Sequence, residues 1–107
     1  MTFRAQEGSF EIVGSLRGLV HRLARVDRDL AGQIRRAASS IALNLAEGSG
    51  RAGRDRLHSY RIAQGSTLEV QAGLRLAVAW GYVEETAVAA TLARLDDLLR
   101  MFTGLLR

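Results

Sequence analysis

Arginine is the side chain with the most chemistry to offer in this sequence. All fifteen basic residues are arginine, set against eleven acids, for a formal net charge of +4. A guanidinium grips phosphate or carboxylate bidentately, so a cluster of them is a phosphate-contact signal. Ten arginines and only four acids (Asp27, Asp29, Glu47 and Asp55) fall between Arg17 and Arg61, so the positive charge belongs to the first half. Two readings stay open: contact with a nucleic-acid backbone, or a solvated, salt-bridged surface whose arginine content reflects codon bias.

The other constellations carry less. Gly48-Ser49-Gly50-Arg51-Ala52-Gly53 satisfies GxGxxG, but the nucleotide reading needs a strand before it and a parallel sheet around it. No run here alternates as a strand does, and no Lys-Ser/Thr pair follows. A two-metal site in a helical bundle needs Glu-x-x-His on two helices. Asp55-Arg56-Leu57-His58 imitates that once, and His21 has no acid three residues before it. With two histidines and no cysteine, nucleophilic catalysis lacks its bases and its thiol. The sequence points to no cofactor, no metal and no enzyme.

These side chains must be positioned by helices. Ile12, Leu16, Leu19 and Leu23 repeat at three-four spacing, flanked by Phe10, Val13 and Val20, which predicts a first helix from Gly8 or Ser9, with Ser9 as N-cap, to Arg25 or Val26. A second helix is expected from Asp29 to Gly48, capped by Asp27 or Asp29 and ended by a left-handed glycine in Gly48-Ser49-Gly50. The third should run from Gly53 to Trp80, with Gly65 and Gly73 marking close helix crossings. The fourth, Glu84 to Leu106, places Val88, Leu92, Leu95, Leu99, Phe102 and Leu106 in one seam. Short turns between long helices make antiparallel neighbours. The expectation is an all-α, up-down-up-down antiparallel four-helix bundle over residues 1–107 as a single domain. The apolar stripes of the first and fourth helices are wide enough to form either a generous core or part of an oligomer interface.

That topology sends Arg22, Arg25, Arg28, Arg35 and Arg36 toward one end, partly neutralised by Glu84 and Glu85. It sends Arg51, Arg54, Arg56 and Arg61 toward the other, where only Asp55 intrudes and Tyr60 is the one aromatic close by. On the second helix Gln33, Ser40, Asn44 and Glu47 form a polar line beside an apolar seam and the small residues Ala37, Ala38, Ala42 and Ala46. Burying such groups unpaired costs roughly 1–3 kcal/mol each, so an interface with every group hydrogen-bonded is expected. Ser40, Asn44, Glu47 and Glu69 are accordingly read as a structural polar network.

The block Arg36-Ala37-Ala38, Ser40-Ile41, Asn44, Ala46-Glu47-Gly48, then Ala63, Gly65-Ser66, Glu69 and Gly81-Tyr82 resembles the 23S rRNA intervening-sequence proteins. The chain has no proline, unlike members that carry one after Ser-Ile and another between the first two helices. The resemblance implies a four-helix bundle. It extends to the accessory variability determinant of diversity-generating retroelements, and so implies a homo-oligomer, a pentamer, with RNA, DNA or a reverse-transcriptase-like protein as partner. The expected function is a non-enzymatic, basic accessory bundle in the cytoplasm, with no membrane role. A structural or protein-binding bundle without a nucleic-acid role is the alternative.

Overall fold

The computed structural model describes Phe3 to Arg107. Four helices follow in order: α1, Arg4–Leu23; α2, Arg28–Ser49; α3, Gly53–Ala79; and α4, Glu85–Leu105. Each packs on the next, and α4 closes on α1. This is the expected antiparallel bundle, 42 Å long and 22 × 21 Å across. The length is that of α3, since 27 residues at 1.5 Å rise span about 40 Å.

Helix α1 starts at Arg4, one turn before the break expected at Gly8-Ser9. Ser9 caps nothing. Its hydroxyl donates to the Gln6 carbonyl at 2.6 Å, which lets it sit buried on the core face between Ala5 and Ile12. Phe10, expected to widen the stripe, is instead 54% exposed. At the α1–α2 turn Asp27 is the cap: its carboxylate accepts the Leu30 N–H at 2.9 Å, satisfying one of the donors that a helix start leaves unpaired.

No glycine in Gly48-Ser49-Gly50 is left-handed; among the described residues the positive φ values belong to Gly53 (59°) and Gly81 (78°). An arginine closes α2 instead, Arg56 donating its Nε–H to the Gly48 carbonyl at 3.2 Å, a C-terminal contact that also suits the helix dipole. At the end of α3 the Tyr82 N–H reaches the Ala77 carbonyl and the Gly81 N–H the Val78 carbonyl, both at 2.9 Å. That pair of bonds is a Schellman motif, and its left-handed position is why Gly81 is glycine.

Phe102, Ile12, Leu23, Ile34, Ile41, Leu45, Leu74, Leu95 and Leu98 are the largest fully buried side chains. The α4 seam differs from the expected one. Val88, Thr91, Leu95, Leu98 and Phe102 are buried, while Leu92 and Leu106 pack only partly and Leu99 is half-buried. Thr91 was hidden from a hydrophobicity reading by its hydroxyl, which pairs with that of Ser15 on α1 at 2.9 Å. The stripes of α1 and α4 are therefore absorbed mainly by the core. The large exposed apolar side chains stand elsewhere, on α2 (Leu43) and α3 (Ile62, Leu68, Leu76, Trp80), with Phe10 and Val26 as the exceptions.

Of the two expected close crossings on α3, one exists. A Cβ on Gly73 would lie 2.7 Å from Cγ1 of Ile34 on α2, whereas at Gly65 nothing stands within 4 Å. Gly48 supplies the second approach, where a Cβ would come within 2.5 Å of the Tyr60 ring. These contacts make α2–α3 the most extensive of the helix interfaces.

Candidate nucleic-acid interface

The α2–α3 turn presents arginines in three different states. Arg51 is paired with Glu47 one helical turn away, at 3.0 Å. Arg56 is engaged with the Gly48 carbonyl and, with Arg4, Ser49 and Tyr60, lines a recess of about 580 Å³ under the α4 C-terminus. Arg54 and Arg61 share an outer face of α3, seven residues apart, are exposed, and carry no ion pair among the described residues. Arg100 of α4 is taken up by Asp97. Tyr60 is no base platform here: it is 5% exposed, wedged under Gly48 and tilted against Phe3 with ring centroids 6.1 Å apart.

The opposite end holds more unengaged charge than expected. Arg22, Arg25 and Arg28 are exposed, and neither Glu84 nor Glu85 approaches any of them closely enough to form a salt bridge. Arg22 does share a recess with Glu84, Tyr82 and Val83. Arg36 lies back over Gly32, where a Cβ would meet its Nη1 at 3.0 Å. Arg35 edges an apolar groove of about 420 Å³ between α1 and α2, lined by Val13, Val20, Ala24 and Ala38. The expected asymmetry is thus corrected: Glu47 as well as Asp55 offsets the α2–α3 turn, while Glu84 and Glu85 leave the other end's arginines without ion pairs. Exposed pairs such as Arg51–Glu47 contribute little to stability, about 0–1 kcal/mol, but they do occupy the cation.

The polar line on α2 divides. Asn44 donates its Nδ2–H to the Ser40 carbonyl and hydroxyl at 3.0 and 3.1 Å, and the Ser66 hydroxyl of α3 donates to Ser40 at 2.9 Å. This is a cross-helix network that leaves no buried side-chain polar atom unpartnered among the described residues. Gln33 and Glu47 face water. Glu69 is exposed on α3 and takes no part in these bonds.

Sequence reasoning passed over two residues. Arg4 carries no signal of its own in the sequence, yet α1 starts there and places it in the Arg56 recess. Trp80 was read only as a helix end. It is 68% exposed and stacked on Tyr82, with centroids 6.4 Å apart and planes 19° from parallel. Partial burial, and after it the Asp27 carboxylate beside its hydroxyl, push the Tyr82 phenol above its ordinary value.

The frame and its surface define a class: an arginine-studded antiparallel four-helix bundle whose α2–α3 polar seam is hydrogen-bonded within the bundle. Within that class the chain belongs to the family of 23S rRNA-intervening sequence proteins, whose model matches residues 6–104. It is similar in fold to a protein of unknown function from the S23 ribosomal protein family of Bacteroides thetaiotaomicron VPI-5482. The TM-score is 0.87 at 18% identity, covering 96% of this chain and 98% of that one. No curated protein sequence matches the chain. No helix of the described residues is long and apolar enough to cross a membrane.

Proposed function

We propose that this chain is a non-enzymatic cytoplasmic accessory protein. It assembles with copies of itself and binds nucleic acid, structured RNA first, through exposed arginines. The observation that carries this reading is the set Arg22, Arg25, Arg28, Arg54 and Arg61, all exposed and without ion pairs among the described residues. A cation not already neutralised by protein can release counterions from a phosphate backbone. The family's description names an rRNA intervening sequence, which makes an rRNA stem the natural first probe.

Self-association rests on a different surface from the one the sequence suggested. Leu43, Ile62, Leu68 and Leu76 on the outer faces of α2 and α3 are each exposed by 40% or more, and exposed apolar side chains in that number favour a protein contact. A ring of five, as the resemblance implies, would repeat each arginine set on one rim and raise avidity for a long polyanion. Light scattering at about 10 μM should return a multiple of the 11.7 kDa chain, and Leu68→Glu with Leu76→Glu should return the monomer mass. A monomeric wild type would remove the oligomer. The same exposed apolar side chains favour the second reading, a protein-binding bundle in which the charge is incidental.

The two readings separate on arginine substitutions. Arg54→Gln with Arg61→Gln, and separately Arg22→Gln with Arg25→Gln and Arg28→Gln, remove charge while keeping helix propensity. Under the nucleic-acid reading each set weakens binding to a fluorescent rRNA stem, and the slope of log affinity against log salt becomes shallower by about 0.7–0.9 per lost contact. Unchanged affinity in both sets favours the protein-binding reading. Arg56 is left intact because it closes α2.

A further inference from the structure

We propose that Trp80 is a stacking platform for an unpaired nucleobase, so that the end of the bundle formed by the α1–α2 and α3–α4 turns binds single-stranded nucleic acid. The inference rests on the nucleic-acid reading above and adds to it which end engages exposed bases. Trp80 is the only tryptophan in the chain and 68% exposed, an unusual place for the largest apolar side chain. Its position is imposed by the backbone. As the C-cap of α3, directly before the left-handed Gly81, it is joined to Tyr82 by the Schellman turn with its two 2.9 Å bonds, and the two rings lie in one nearly parallel stack.

The lower ring is itself held. Tyr82 is half-buried against the core, with Asp27 beside its hydroxyl, and Asp27 is fixed by capping α2. A ring anchored in this way costs little further ordering when a base is added above it. Charge is at hand for the attached phosphate: Arg22 lines the same recess as Tyr82, Arg25 lies in the α1–α2 turn and Arg28 opens α2. Glu84, also in that recess, disfavours a phosphate lying directly over Tyr82 and leaves the Trp80 side as the approach. An aromatic face next to arginines is the combination by which proteins hold single strands without reading sequence.

A single tryptophan makes the test direct. Its emission is recorded while an oligouridylate of about 12 nucleotides, within the site sizes of single-strand binders, is added; inorganic polyphosphate serves as a polyanion without bases. Oligouridylate should quench Trp80 and polyphosphate should not. Trp80→Ala, followed by anisotropy of a labelled oligouridylate, should weaken binding at least about five-fold, the lower bound for one base–aromatic stack. It should leave the salt slope and the polyphosphate affinity unchanged, because no charge is lost. Trp80→Phe should keep most of the affinity. Equal quenching by both polyanions overturns the platform, as does full affinity in Trp80→Ala. Emission that follows protein concentration alone also overturns it, since Trp80 would then be covered by another copy. If neither polyanion binds while the rRNA stem still does, the platform fails and the nucleic-acid reading stands; if the stem fails to bind as well, both fall.

Discussion

Gly73→Leu is expected to lower the stability of the bundle by about 2 kcal/mol, the middle of the range for overpacking a well-filled interior, and with it the melting temperature by roughly 10 °C. The cause is local. A side chain at Gly73 begins 2.7 Å from Cγ1 of Ile34 and 3.2 Å from its Cδ1, and Ile34 is fully buried, so it has nowhere to move. Leucine is a good helix former, so intrinsic propensity works against the loss and cannot cause it. Gly65→Ala should do the opposite. It sits eight residues earlier on the same helix with nothing within 4 Å, and alanine there gains up to about 1 kcal/mol of helix propensity. Thermal unfolding followed by circular dichroism, at one protein concentration because association shifts the transition, should move the two variants in opposite directions. Movement in the same direction would mean that α2 and α3 do not cross closely at Gly73.

That contrast shows what the sequence could and could not disclose. Two glycines in one helix look alike as letters; which of them touches a neighbour depends on the rotation of α3 about its axis, which only the packed partner sets. The helices themselves were legible, because three-four apolar spacing and short turns leave few alternatives. Boundaries were less so. Gly8-Ser9 looks like a helix start, yet Ser9 satisfies its hydroxyl within α1 and can be buried there. In α4 the seam follows shape and pairing: Thr91 enters the core because Ser15 is placed to meet it, and hydropathy carries no trace of that.

The arginines illustrate a second limit. Their number and uneven distribution were plain from the sequence, but whether a cation is available depends on where its side chain folds. The Glu47–Arg51 pair could have been read from its i,i+4 spacing, whereas the Arg56 contact with Gly48, eight residues away, could not. The Trp80–Tyr82 stack had one signal in the sequence, the glycine between the two rings. A left-handed residue at a helix end turns its neighbours onto the same side.

The measurement that bears most directly on the proposed function is the salt dependence of RNA binding by the unmodified protein. Twelve of the fifteen arginines are exposed and without ion pairs among the described residues, and the sets Arg22, Arg25 and Arg28, and Arg54 and Arg61, stand at two ends that a single short RNA would not span at once, so about three phosphate contacts per bound RNA are expected. At about 0.7–0.9 per contact this gives a slope of log affinity against log salt of about −2.5, and a loss of roughly 30-fold between about 50 and 200 mM monovalent salt. Substituting either arginine set should bring the slope toward zero in proportion to the charges removed. A slope within error of zero, or a steep one that neither set alters, would contradict the account and favour a protein contact through the exposed apolar side chains of α2 and α3.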